Sequence, residues 1–249
     1  MKNKGTKIGE PFGIGVYIHW TFWVLLAYFS LPTLARGGLL AALSQAGLIF
    51  GVFGCVVLHE LGHSLAARTY GIQTADITLY PIGGVARLER MPRTPTHEMV
   101  IAIAGPLVNV AIALGLWALM LLGWSDRFML NLLYVNLMLV CFNLVPAFPM
   151  DGGRVFRAFL SLFQSRQRAT NIAATTGKVF ASLMVLYGIF NNPVLIFIGI
   201  FIWMAGEAER RSVAAELTWH APSGGPPPLP HEVIEPEIIW PDDPGSFRG

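Results

Sequence analysis

The chain has 249 residues, of which 54% are hydrophobic and only 13% are charged, and its formal net charge is +2. A soluble domain has about 25% charged residues, so this composition excludes an ordinary soluble protein and predicts a chain that crosses a membrane several times. The small net charge gives no reason to expect a nucleic-acid partner.

The chain begins with a polar stretch, residues 1–16, which predicts a cytosolic lead before the first membrane span. Residues 17–35 form an apolar segment that is longer than the hydrophobic part of a signal peptide, so we expect a retained span. Residues 38–70 form a second and longer apolar segment. Because about 20 apolar residues suffice to cross a bilayer, both segments are predicted to be transmembrane helices.

The second span contains the sequence His-Glu-Leu-Gly-His at residues 59–63. Four residues advance a helix by about 6 Å and about one turn, so His59 and His63 share one face and can bind the same metal ion. Glu60 is placed to act on a water molecule rather than as a ligand. Cys55 lies one turn before His59 and is an alternative extra ligand, although its apolar neighbours favour a buried, unreactive thiol. Ionisable groups inside a span predict a functional site.

Residues 74–90, between the second and third spans, have a different pattern. Two short runs rich in β-branched and aromatic residues flank a turn that contains Pro81, Gly83 and Gly84, and this predicts a β-hairpin close to the histidines. The hairpin is either an ordinary surface feature or a structure whose free edge receives an extended peptide by strand addition.

Four further apolar segments follow, each near the length that a bilayer requires. They predict spans at residues 97–123, 128–150, 168–190 and 193–206, and the last of these is short. The expected fold is therefore an all-α polytopic membrane protein, with about six transmembrane helices and a short β-hairpin between the second and third.

Six spans place both termini on the same side of the membrane. All but two of the Lys and Arg residues that flank the spans lie on that side, and the exceptions are Arg36 and Arg127. Positive loops stay in the cytoplasm, so we expect both termini to be cytosolic. Residues 17–209 then form one membrane core. Residues 210–249 contain a proline run and an acidic stretch, and they predict a disordered cytosolic tail.

A catalytic zinc site uses three protein ligands, so one more ligand is needed beside the two histidines. Asp151 is the best candidate, because it follows two prolines in an irregular segment at the cytosolic end of span four. Asp76 and Glu98 are competing candidates nearer to loops. The alternative for Asp151 is a structural helix-end turn in which it pairs with Arg154.

Other polar residues near the spans are weaker candidates. Asn109, in span three, either hydrogen-bonds near the metal site or joins two helices. His19 stands beside a tryptophan at the start of span one and is expected to be an interfacial anchor. His97, His220 and His231 lie at a loop end or in the tail and are not expected to bind a metal.

The chain resembles the site-2 protease family of intramembrane zinc metalloproteases over residues 8–209. The likeness rests on the motif at 59–63 inside a span, the glycine pair of the hairpin, Gly-Pro-Leu-Val-Asn at 105–109 and the segment 143–152. Members of this family cleave peptide bonds within the membrane. Some carry a PDZ domain or paired nucleotide-binding regulatory domains, and we expect a compact form with neither.

The resemblance implies roles for individual residues. It implies three zinc ligands, which are His59, His63 and Asp151. It implies that Glu60 is the general base and that Asn143 helps to hold the substrate. The hairpin is similar to one that presents its edge to an unwound substrate helix, so Gly83 and Gly84 are further candidates for substrate binding. Asn109, in the matching segment of span three, is another candidate.

The function that the resemblance implies is hydrolysis of a peptide bond in or near the transmembrane segment of a single-pass membrane protein, with release of a cytosolic fragment. We expect a multi-pass protein of the cell membrane of a bacterium or an archaeon. The alternative is a zinc-binding membrane transporter or a non-catalytic scaffold. Transport needs polar groups along a path through the bilayer, and spans one, five and six contain almost no carboxylate or histidine.

Overall fold

The structure is a computed structural model that describes residues 5–92 and 94–219. Within these ranges the chain is mostly helical, with six α-helices, a short 3-10 helix and a small four-stranded sheet. Most of the tail that is predicted to be disordered, residues 220–249, lies outside the described residues.

The elements follow one another along the chain as β1 (Gly5–Gly9), the 3-10 helix (Pro11–Gly13), β2 (Gly15–His19), α1 (Trp20–Thr69), β3 (Thr74–Tyr80), β4 (Gly83–Leu88), α2 (Pro95–Leu121), α3 (Arg127–Asn143), α4 (Asp151–Leu160), α5 (Arg166–Asn191) and α6 (Pro193–Trp219).

Helix α1 is a helical hairpin rather than one straight rod. Its helical geometry is interrupted at Gly38, whose φ of 75° lies in the region that glycine adopts most readily. The ring of Phe22 lies 4.7 Å from the ring of Phe53, whereas about 30 residues of continuous helix would separate them by about 45 Å. The chain therefore reverses at Gly38, and its two arms, 20–37 and 39–69, correspond to the first two predicted spans.

The four strands form a sheet in the order β1-β2-β3-β4. Strands β3 and β4 are antiparallel and are joined by a two-residue turn at 81–82, so the predicted hairpin is confirmed. The fold is mostly helical as expected, but its β structure exceeds the predicted hairpin, because residues 5–9 and 15–19 of the predicted lead and first span form β1 and β2. Strand β2 pairs in parallel with β3, which leaves the outer side of β4 as an edge of the sheet.

Three of the described helices are long and apolar enough to cross a membrane, namely α1, α2 and α5, and α3 is a shorter apolar helix. Many large apolar side chains on the helices are exposed, as expected of a surface that contacts lipid.

The chain between α3 and α4 is irregular but tightly held. Ala147 and Met150 are buried against Ala181 of α5 and Ile202 of α6. Span four was predicted to continue to residue 150, whereas α3 ends at Asn143 and a separate helix begins at Asp151. The buried loop therefore fixes where α4 starts.

Helix α6 continues well past the predicted end of span six at residue 206. Its later part reaches α4, because Glu209 forms an ion pair with the fully buried Arg157. The Nε of Arg157 also donates to Oε1 of Glu98 at 2.9 Å. One guanidinium thus joins α2, α4 and α6. The first residue of α4 is Asp151. The ion pairs of Arg157 with Glu98 and Glu209 hold α4 in place and therefore also restrict the position of the Asp151 carboxylate.

Candidate metal centre

His59, His63 and Asp151 meet at one buried point. Oδ2 of Asp151 lies 3.2 Å from Nε2 of His59 and 3.1 Å from Nε2 of His63. The two Nε2 atoms are themselves 3.1 Å apart. The histidines stand one turn apart on the second arm of α1, and the aspartate comes from the start of α4, 88 residues further along the chain than His63.

The other ring nitrogen of each histidine faces a hydrogen-bond acceptor. Nδ1 of His63 lies 2.7 Å from the backbone carbonyl oxygen of Ile101. A carbonyl oxygen can only accept, so this Nδ1 carries the proton. Nδ1 of His59 lies 2.5 Å from Oδ1 of Asn109 and is the donor there in the same way. With Nδ1 as the donor in both rings, the Nε2 atom of each histidine faces Asp151 and is the ring nitrogen that can offer a lone pair to a metal ion.

This arrangement fits a zinc ion. Two imidazole nitrogens and one carboxylate oxygen face one another at 3.1–3.2 Å in a buried site, and a cation among them can accept a lone pair from each. Tetrahedral zinc with bonds of about 2.0–2.1 Å to nitrogen places its ligand atoms about 3.3 Å apart, close to the spacing of these three atoms. Two histidines and one carboxylate, each ring oriented by a second hydrogen bond, form a common zinc donor set.

Asn109 combines both of its predicted roles near the metal site. While its Oδ1 accepts from His59, its Nδ2 donates to Oδ1 of Asn136 on α3 at 2.8 Å. Asn136 in turn donates to Sγ of Cys55 at 3.3 Å. The thiol therefore ends a hydrogen-bonded chain behind His59 and does not join the ligand cluster. Asn136 is not among the residues predicted from the sequence, although an amide in an apolar span is a visible signal.

We expect Asn109→Ala to lower the affinity for zinc by about 10–100-fold, because His59 loses the partner that fixes its tautomer and ring orientation. Zinc affinity is measured by competition with a chelator of known affinity. Asn109→Asp keeps an acceptor for His59 and should retain more affinity than the alanine variant. Asn143→Ala is the matched control and should bind zinc normally. Equal affinities of the alanine variant and the unchanged chain would contradict this role.

The sheet edge approaches the motif at Gly84, in β4. A Cβ atom at this position would lie 2.7 Å from Cγ of Glu60 and 3.0 Å from Cγ1 of Val56, so only glycine allows the strand to lie this close. Gly83, beside it, has a φ of 137°, which disfavours other residues. Glu60 is therefore held between the metal-ligand cluster and the outer strand of the sheet.

The competing carboxylates have other partners. Asp76 accepts from Nε of Arg87 at 2.9 Å, and Glu98 is bound by Arg157. The ion-pair partners of Asp151 among the described residues are the two histidines, and Arg154 is not one of them.

The remaining candidates among the described residues are not part of the converging ligand set. His19 caps the start of α1 and its ring lies 4.8 Å from that of Tyr80, and the ring of His97 stacks on Tyr70. Asn143 ends α3, is half-buried, and has no side-chain hydrogen bond within the described part of the chain. His220 and His231 lie outside that part.

The sequence matches the model of peptidase family M50 over residues 47–127 and 122–186. A zinc metalloprotease of Methanocaldococcus jannaschii is 38% identical over 221 residues, which cover 86% of this chain and 63% of the relative. Stage IV sporulation protein FB of Bacillus subtilis is 26% identical over 193 residues, which cover 76% of this chain and 63% of that protein. The chain thus spans about three fifths of the length of these relatives.

A solved structure is also similar. The site-2 protease from Methanocaldococcus jannaschii is 37% identical and superposes with a TM-score of 0.61, and the match covers 83% of this chain and 95% of that one.

Proposed function

The chain belongs to peptidase family M50, the site-2 proteases, and we propose that it is a zinc metalloprotease that cleaves a membrane protein within or next to the bilayer. The observation that carries this proposal is the buried convergence of His59, His63 and Asp151, with Glu60 beside them.

Each residue of the site has a distinct task. His59, His63 and Asp151 hold zinc. When bound, zinc supplies a Lewis acid that makes water a nucleophile near neutral pH and polarises the peptide carbonyl. Glu60 takes a proton from the attacking water and passes it to the leaving amine.

The surroundings of Glu60 support a proposal about the substrate class. A transmembrane helix must unwind before its peptide bonds can be attacked, and the freed backbone groups then need new partners. The outer edge of β4 offers a row of such partners next to Glu60 through Gly83 and Gly84. The amide of Asn143, which has no side-chain hydrogen bond within the described residues, is proposed to bind the same segment. We therefore propose a single-pass membrane protein as the substrate and a cytosolic fragment as the product.

We also infer six membrane crossings. Helix α1 supplies two because it reverses at Gly38, and α2, α3, α5 and α6 supply the others. The cationic residues at the ends of these helices favour cytosolic termini, since positive loops remain inside. The site would then lie towards the cytosolic surface of a cell membrane.

Removal of the metal tests the proposed function. The purified chain is reconstituted into liposomes with a single-span substrate that carries a tag at each end. We expect 1,10-phenanthroline to stop cleavage, added zinc to restore it, and the non-chelating 1,7-isomer to have little effect. Cleavage that persists after the bound zinc has been removed would overturn the proposal, as would zinc-dependent binding without cleavage of any peptide.

A further inference from the structure

Arg154 is a cation whose purpose the metal centre leaves unexplained. It lies on α4 three residues after Asp151, so the two side chains share a face of that helix. It is half-buried, and it makes no hydrogen bond or ion pair within the described residues. Asp151 lies within 3.2 Å of both histidines, so Arg154 stands about one helical turn from the metal-ligand cluster.

Two other arginines of this region have carboxylate partners, whereas Arg166 and Arg90 donate to backbone carbonyl oxygens. Arg87 is paired with Asp76, and Arg157 is paired with both Glu98 and Glu209. A guanidinium that is withdrawn from water loses hydration, and a carboxylate restores the loss through two parallel hydrogen bonds. No carboxylate of the described residues forms an ion pair with Arg154. We therefore expect a bound ligand to supply the carboxylate partner.

The surroundings of Arg154 indicate which ligand. It lines a narrow cleft together with Leu88 at the end of β4, Pro92 after that strand and Ile101 of α2, and the ion-paired Glu98 and Arg157 also line it. Ile101 is also the residue whose carbonyl oxygen accepts from His63, so the cleft borders the metal centre. Strand β4 runs from Gly84, beside Glu60, to Leu88, and these four steps span about 13 Å.

A peptide bound along the outer edge of β4 would therefore pass Glu60 and continue to the cleft. We propose that Arg154 is a specificity-determining residue that binds an aspartate or glutamate side chain of the substrate, within about four residues of the bond that is cut. This inference rests on the proposed function, because that function identifies the ligand as a substrate peptide. A guanidinium recognises a carboxylate well because it is planar and can donate two parallel hydrogen bonds to the two carboxylate oxygens.

The test measures binding in a chain that does not cut. Zinc-loaded protein with Glu60→Gln is titrated in neutral detergent with synthetic single-span peptides that have a central Gly-Pro break. The peptides differ only in carrying Asp, Asn or Lys at each of four positions on either side of the break. Asp and Asn have the same shape, so the ratio of their Kd values reports recognition of charge.

We expect Asp to bind about 10-fold more tightly than Asn at one position, as is typical of a hydrogen bond to a charged group. Adding Arg154→Glu should reverse the preference at that position in favour of Lys, and Arg154→Gln should abolish it without a reversal. The control Arg168→Glu makes the same charge change at an exposed residue near the start of α5 and should keep the preference for Asp.

The inference is overturned if no position distinguishes Asp from Asn, or if the preference survives both changes at Arg154. It is also overturned if peptide binding ignores peptide charge but Arg154 controls binding of vesicles that contain phosphatidylglycerol, because the anion is then a lipid phosphate. If the chain prefers Asp but cleaves no peptide, this inference stands and the proposed protease function is refuted. If the chain cleaves peptides without this preference, the protease function stands and this inference is refuted.

Discussion

Glu60→Gln should reduce cleavage of a single-span substrate by about 10²–10⁴-fold, the range expected when a general acid-base group is lost. Glutamine has nearly the same shape but cannot take up a proton at this site. Zinc content should stay near that of the unchanged chain, because Glu60 is not among the three residues whose ligand atoms converge. Cleavage is followed by the appearance of the tagged fragment, and zinc by elemental analysis of the same preparation.

Two comparisons make this result specific. Glu10→Gln removes an exposed carboxylate between β1 and β2, and it should leave both cleavage and zinc unchanged. Loss of zinc together with activity in the Glu60 variant would mean that the carboxylate supports the metal rather than the proton transfer. Full activity of the Glu60 variant would remove the proposed mechanism altogether.

Much of the candidate site follows from local rules of the chain. The spacing of His59 and His63 determines that they share a helix face, whatever surrounds that helix. Asp151 stands out because prolines interrupt an apolar span just before it, and such a segment must be buried in protein or line a cavity. The hairpin is visible from its two apolar runs and its glycine turn. These features need no knowledge of distant contacts.

The parts that sequence reasoning missed depend on distant contacts. Strand β2 is short and follows a glycine-rich stretch, and it becomes a strand by pairing with β3, where Val16 lies opposite Ile77. The acceptor for His63 is the backbone carbonyl of Ile101, and every residue carries such a group. The partners of Arg157 come from α2 and α6. No local pattern identifies these pairings.

Gly105 is partly predictable from the sequence, because its segment contributes to the family resemblance. Its physical role, however, depends on contacts that only the three-dimensional structure shows. It lies on α2, directly against the ligand atoms. A Cβ atom at this position would lie 2.8 Å from Nε2 of His59 and 2.5 Å from Cε1 of His63, and closer still to Nε2 of His63. Helix α2 packs closely enough on α1 that a Cβ at Gly62 would lie 2.9 Å from the carbonyl oxygen of Ala104.

Gly105→Ala should therefore lower zinc affinity by more than about 100-fold, beyond the usual effect of changing an outer partner, and should stop cleavage. The added methyl group must displace the two imidazoles or push α2 away from α1, and either movement separates the three ligand atoms. Gly115→Ala is the matched control on the same helix, and it should bind zinc normally. Among the described residues, and apart from its chain neighbours and the adjoining backbone of its own helix, no atom lies within 4 Å of its added Cβ. Zinc retained after dialysis is compared for both variants, with circular dichroism to show that the helices remain. Wild-type zinc affinity in Gly105→Ala would mean that α2 does not press on the histidines, and the orientation of His63 by Ile101 would then also need another explanation.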